Sequence, residues 1–399
     1  MKLKEVKYEP ISVKELLKRM STCSSLMVDL AYTSFLFNNK QLAEEVMKLE
    51  ENVDYLSYLL LMNSSLAARD KEDAEQIAGI LKVASAVDAI SNAAADIANL
   101  VLLGITAHDL VWYAFEDTYE TVDVFEIPPN RGFDGKTLEE LSFESKLGVN
   151  IIAIRKGSRW IVNPPDNTPL EVNDVIIVRG GVDSIEHMER LFGIKREKLV
   201  EKVSPEWKKV GKMIEDLKDI SELMTYLAYS ALMFNDKELA KEVQRLEEYV
   251  DDLHMNYELS ILRMSNNLSK DEKTILGLLR LGIATENMAD AAALMGEITL
   301  RGLAPHPILK SVVNESEEII IPVKVTEKSL IANKRLYDTD LEEIGAIVLA
   351  VRRDREWFFE PDENFVFLPH DVLIVRIYPE TKHELIRLVG EPTTAEKEK

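Results

Sequence analysis

One cysteine, Cys23, stands in 399 residues, so no disulfide can close within the chain and a reducing compartment suits it. Bases are also short. Lys and Arg number 48 against 70 Asp and Glu, a formal net charge of -22, which removes the basic footprint that a nucleic-acid backbone requires. No long apolar run occurs: the most apolar region, 93–115, is broken by Asp96, Asn99, His108 and Asp109, so membrane insertion is not expected. The opening MKLKEVKYEP lacks the apolar stretch of a signal peptide. These absences predict a cytoplasmic protein that reaches a membrane only through a partner. Also missing are G-x-G-x-x-G, a P-loop, G-x-S-x-G, H-E-x-x-H and any Cys–His pair, so no catalytic set is legible and an enzyme is not expected.

What is present occurs twice. Residues 30–56, LAYTSFLFNNKQLAEEVMKLEENVDYL, return at 227–253 as LAYSALMFNDKELAKEVQRLEEYVDDL, with 16 of 27 positions identical. A gap-free match of that density indicates internal duplication. Within each copy, apolar residues first recur at helical spacing, as Leu42, Val46, Leu49, Val53 and Leu56 do, the seam of a helix lying along antiparallel neighbours. A third helix, from Asp73 to about Leu103, is rich in alanine, which permits close helix approach. A fourth, shorter helix is expected around His108 to Phe115. Composition then changes to short β-rich runs separated by Gly, Pro and Asn: VDVFEI, NIIAI, RWIV and DVIIV, matched later by EIIIPV, IVLAV, EWFF and DVLIV. The expected order is a helix bundle over 10–116, an α/β module over 119–194, a second bundle over 205–312, a second module over 315–390, and a polar disordered tail, 391–399.

The third helix carries acids where a bundle should be apolar. At 100° per residue from Ile77, Asp88 lies at about 20°, inside the stripe of Ile80, Ala84, Val87 and Ser91, with Asn92 at about 60° and Asp96 further round. From Ile275, Glu286 lies at about 20°, Glu297 at about 40° and Asp290 at about 60°. A carboxylate facing a core must be protonated, paired with a base or bound to a cation, and the nearest bases, Lys82 and Arg280, point to other faces. The second helix adds Glu50 with Asp54, and Glu247 with Asp251, each pair one turn apart. All-oxygen donors suit hard ions, divalent Mg²⁺, Ca²⁺ or Mn²⁺, or ferric iron; the plainer alternative is solvated acids at open bundle ends. In the β-rich segments Arg155 and Arg352 follow equivalent strands, and a guanidinium there either holds an anion or solvates a strand end. His108, His306, His187 and His383 are isolated.

Two resemblances follow from these residues. The bundles resemble the PhoU family, whose E-x-x-x-D motif binds metal ions: Glu286-Asn-Met-Ala-Asp290 matches it, while Asp88-Ala-Ile-Ser-Asn92 ends in Asn. The modules resemble the TrkA C-terminal domain through Gly135-Lys-Thr-Leu138, Gly148-Val-Asn-Ile-Ile-Ala-Ile-Arg155, Pro164 and Asp174-Val-Ile-Ile-Val-Arg-Gly180; the second copy keeps Gly345, Arg352, Pro361 and Asp371 but has Asn333 for Gly135 and Ile377 for the closing glycine. The resemblance implies an α plus α/β fold of two PhoU-like antiparallel bundles alternating with two small TrkA-C-like modules. It implies a regulatory or ligand-sensing subunit of a membrane potassium or magnesium transporter or channel, with a metal-binding adaptor in phosphate-transport signalling as the alternative. It also implies a small anionic ligand or cyclic dinucleotide near Ile152, Arg155, Pro164 and Arg352, and pairing of modules, between chains as a homodimer or within one chain.

Overall fold

Ser12 opens the first helix, its hydroxyl accepting the Glu15 N–H at 3.2 Å as an N-cap does. In the computed structural model, which describes residues 5–105, 120–129, 131–157, 159–194, 205–265, 272–303, 309, 319–354, 356–359 and 361–390, this helix, α1, spans Val13–Leu36. Asn38 turns the chain in the left-handed region and Asn39 caps α2, Lys40–Ala67. Asp70 caps α3, Lys71–Leu102. The three helices pack on one another, and their mutual faces hold Leu16, Leu30, Val46, Leu59, Val87 and Ala98, all buried. By length and composition α3 is apolar enough to cross a membrane; here its apolar residues are packed against α1 and α2. The expected fourth helix, with His108 and Trp112, and His306 and the tail lie outside the described residues.

The first module is a four-stranded sheet ordered β1-β4-β2-β3, with β1 Glu120–Glu126, β2 Val149–Lys156, β3 Arg159–Val162 and β4 Val175–Gly181. Short helices α4 (Leu138–Leu141) and α5 (Phe143–Leu147) precede β2, and α6 (Val182–Phe192) follows β4. All pairings are antiparallel. The strands are apolar on both sides because both sides are covered. Ile151, Ile154, Ile176 and Val178 pack with Met188 and Phe192 of α6, whereas Ile152, Ala153 and Ile177 join the core of the bundles. A register shift between Ile151 and Ala153 marks a bulge, which places Ile152 on the bundle side.

The second copy repeats this plan. Helices α7 (Pro205–Phe234), α8 (Lys237–Ser265) and α9 (Glu272–Leu300) form a bundle. Strands β5 (Ile319–Lys324), β6 (Ile347–Arg353), β7 (Glu356–Phe359) and β8 (Val372–Ile377) form a sheet ordered β5-β8-β6-β7, followed by α10, Lys382–Val389. The bulge recurs between Val348 and Ala350. Gly135 and Asn333 hold the same turn, both at positive φ and both donating to the loop before the last strand, at Leu170 O and Phe367 O; asparagine tolerates that region better than other residues with side chains.

The copies pair within the chain. Helix α3 lies against α9, and Tyr32 of α1 reaches across to Thr285 of α9 at 3.0 Å. Module meets module through the segment before β2 and its counterpart before β6, where a Cβ on Gly148 would stand 3.4 Å from Gly345 Cα. The duplication thus supplies both members of each pair.

Two helical glycines on α9 test the packing. A Cβ on Gly282 would come 2.5 Å from Cε1 of buried Tyr257, whose hydroxyl is fixed to Leu278 O at 2.7 Å; on Gly296 it would meet Val243 at an ordinary 3.5 Å. Gly282→Ala is therefore expected to lower the thermal midpoint, overpacking costing about 1–3 kcal/mol. Gly296→Ala is expected to raise it through helix propensity by up to about 1 kcal/mol. Melting curves followed by circular dichroism check both.

Candidate functional site

Glu50 and Asp54 lie one turn apart on α2 and face Asp88 on α3. Burial, then the Asp54 charge, pushes the Asp88 carboxyl above its ordinary range. Glu50 is raised by burial and by Asp54, Glu51 and Asp88. In the second copy, carboxylate oxygens of Glu247, Asp251 and Asp290 all lie within 4.8 Å of one another. Glu286, half-buried one turn before Asp290, is pushed up to about 7 by burial and then by Asp290 and Asp251. Burial and Asp251 raise Asp290, against a small opposing effect of His254. Among the described residues, no lysine or arginine forms an ion pair with any of these seven acids. Such a set is stabilised by protons or by a hard cation.

The inward reading of the third helix divides in the structure. Asp88 and Glu286 are half-buried, but Asn92, Asp96, Asp251 and Asp290 are exposed. The reason is a cleft of about 530 Å³ along α3 and α9, lined by Asn92 and Asp96 from one bundle and Glu247, Asp290 and Glu297 from the other. Glu297 is paired with Arg301 at 3.0 Å, unlike the base-free set, and its charge still reaches Glu247.

A second cavity, about 220 Å³, lies where both bundles and both modules meet, lined from α1, α3 and α7, from Asn150, Ile152 and Arg179 of one sheet, and from Ile320 and Arg376 of the other. Arg179 donates to Asp29 of α1 at 3.0 Å. Arg376 stands at the same position of the second copy, where Tyr226 replaces the aspartate: its guanidinium donates to the Tyr226 hydroxyl and lies 4.6 Å from that ring. Ile152 is thus at the cavity, but the other residues expected beside it are not. Arg155 lines a separate pocket with Asn39 and Gln41 and stacks on Trp160 at 5.9 Å. Arg352 stacks on Trp357 at 5.7 Å, and Pro164 is buried. The expected ligand set does not converge, because Arg155 and Arg352 are held by the tryptophan of the adjoining strand. Arg179 and Arg376 are the residues that sequence reasoning missed. Their signal was a charged residue inside an apolar strand, VIIVRG and VLIVRI, at one place in both copies.

The PhoU domain matches residues 17–101 and 214–299, and the TrkA-C domain matches 124–193 and 320–390. The Ktr system potassium uptake protein C of Bacillus subtilis is 31% identical over 95 residues, 24% of this chain and 42% of that protein. Potassium channel protein 1 of Methanocaldococcus jannaschii is 31% identical over 64 residues, 16% of this chain and 19% of that one. The chain therefore spans less than half the length of these relatives. A crystal structure of PhoU from Pseudomonas aeruginosa is 13% identical, covering 73% of this chain and 96% of its own with a TM-score of 0.40.

Glu286 sets a pH dependence of stability. Its ordinary value is 4.5 and its folded value about 7, so the folded state holds more protons than the unfolded state between these values. Stability is then lost as pH rises through that window. In chelator, the thermal midpoint is expected to fall between about pH 5 and pH 8. The Glu286→Gln variant should fall less and melt above the parent at the alkaline end. Differential scanning fluorimetry across pH reads both.

Proposed function

The chain carries the PhoU domain and the TrkA-C domain twice each, in alternation, and from that make-up we propose a cytoplasmic, non-catalytic regulatory subunit of a membrane cation transporter or channel, with potassium the transported ion. The observation that carries this reading is the junction cavity: both modules and both bundles contribute walls to one cavity, so a small ligand there would set how the modules sit on the bundles. The names of the similar proteins, a potassium uptake protein and a potassium channel, support potassium as the ion. The ligand we assign to the cavity is small and amphipathic, with an anionic group placed toward Arg179 and Arg376; a cyclic dinucleotide is one chemistry of that kind.

The base-free acids support a second element, binding of a hard divalent or ferric ion by Glu247, Asp251, Asp290 and Glu286, with Glu50, Asp54 and Asp88 as the counterpart in the first copy. They also favour the alternative reading, a metal-binding adaptor in phosphate-transport signalling. Tagged protein recovered from native membranes is expected to bring a potassium transporter or channel, identified by mass spectrometry. Recovery of phosphate-transport components instead would move the assignment to the adaptor, and recovery of neither would overturn the regulatory reading.

Metal binding is tested separately. Mn²⁺ or Mg²⁺ at about a hundred times its Kd is expected to stabilise the folded chain by about 2.7 kcal/mol. The Asp251→Asn plus Asp290→Asn variant should lose most of that shift in scanning fluorimetry. An unchanged shift would remove these acids from the role.

A further inference from the structure

We propose that the outer face of α8, from Glu248 to Leu262, is a docking surface for a cationic amphipathic helix of a partner protein, a proposal that rests on the membrane-partner reading above. Met255, Leu259 and Leu262 are 59%, 43% and 52% exposed. At 100° per residue all three lie within about 40° of Met255, a continuous apolar strip. Glu248, Asp252 and Glu258 fall within about 60° of the same direction and edge it with negative charge. From Leu246 to Leu262 there is no lysine or arginine. Two bases flank this run: Arg245, engaged by Glu242, and Arg263, just beyond Leu262. An apolar strip edged by acids between Glu248 and Leu262 is complementary to a helix with leucine-like residues on one side and Lys or Arg beside them, and methionine adapts to varied partners.

In the first copy a segment packs beside the corresponding face. On α2 residues before α1 pack along the flank of the equivalent strip: Tyr55 donates to the Glu9 carboxylate at 2.7 Å and Asn63 to Glu9 O at 3.0 Å, with Val6 and Ile11 packed against the core, while Tyr58, at the position of Met255, is 58% exposed. At the same positions α8 has Asp252 and Ser260, and its apolar residues remain exposed. The divergence replaces a tyrosine with an acid and so turns the preference toward a cationic occupant. Cytoplasmic segments of membrane proteins carry the matching excess of Lys and Arg. A lipid surface fits less well, since the cytoplasmic leaflet is itself anionic and the chain carries -22.

The test uses the full chain and a labelled synthetic peptide of about 18 residues with Leu and Lys at helical spacing. Controls are a scramble of the same composition and a version with Glu for Lys. Fluorescence anisotropy is expected to show binding of the amphipathic cation, with the scramble at least about tenfold weaker and the acidic version silent. Leu259→Glu plus Leu262→Glu should weaken binding by about tenfold or more, whereas Leu61→Glu on α2 should leave it unchanged. Both variants alter exposed positions, and unshifted melting curves verify their folding. Equal binding of the scramble, or no effect of the α8 variant, would overturn the proposal. So would preferential binding to phosphatidylcholine–phosphatidylserine vesicles, or self-association through α8 in sedimentation. Peptide binding as expected, with no cation transporter recovered from membranes, would keep the surface and reject the regulatory reading.

Discussion

The alanines of α3 and α9 allow these helices to lie close along their length, and the two bundles, the cleft and the acidic sets are all placed by that approach. Ala86, Ala93, Ala94, Ala284, Ala291 and Ala292 are buried, and Gly277 has Ile105 of the other copy almost in contact with its Cα side. Larger residues would hold the helices apart and divide one core into two. Buried Leu59 and Leu281 instead belong to a single continuous cluster that includes both sheets' inner faces. The cleft opens where the seam carries Asn92 and Asp96, because polar side chains keep water where alanine would exclude it.

Duplication then makes divergence readable. Asp29 and Tyr226 hold equivalent arginines by different chemistry, an ion pair in one copy and a hydroxyl with a ring face in the other. Breaking a buried ion pair leaves an uncompensated charge, whereas a tyrosine releases a guanidinium without stranding a carboxylate. The acidic side diverges too: Glu247, Asp251 and Asp290 cluster in the second copy, where the first copy has Asn92 in place of Asp290.

The fold was legible because its signals are local. Helical spacing in Leu42 to Leu56, caps at Asn39 and Asp70, and β-rich runs bounded by Gly and Asn each state their own element, and the alternation of bundle and module follows from their order. The site was legible only in part. A helical wheel gives the direction of Asp88 and Glu286 but not what opposes them, so it could not foresee that one turn on, at Asn92 and Asp290, the seam opens to water. Arg155 and Arg352 drew notice as charges at strand ends, where stacking on Trp160 and Trp357 holds them. Arg179 and Arg376 sit within strands, and their partners lie 150 residues away in sequence, a separation no local pattern reports.

On the regulatory reading proposed above, coupling requires two sites that share one element, and α3 and α9 are shared. Val87 and Ile90 of α3 and Met288 of α9 line the junction cavity, while Asp88, Glu286 and Asp290 belong to the acidic sets on other faces of the same helices. A cation that draws the acids together would rotate or shift these helices against the cavity wall, and a ligand in the cavity would resist or favour that shift. Such coupling is reciprocal by linkage: whatever factor the cation applies to ligand affinity, the ligand must apply to cation affinity. Close alanine packing would carry such a shift along each helix, since densely packed helices move as units rather than deforming.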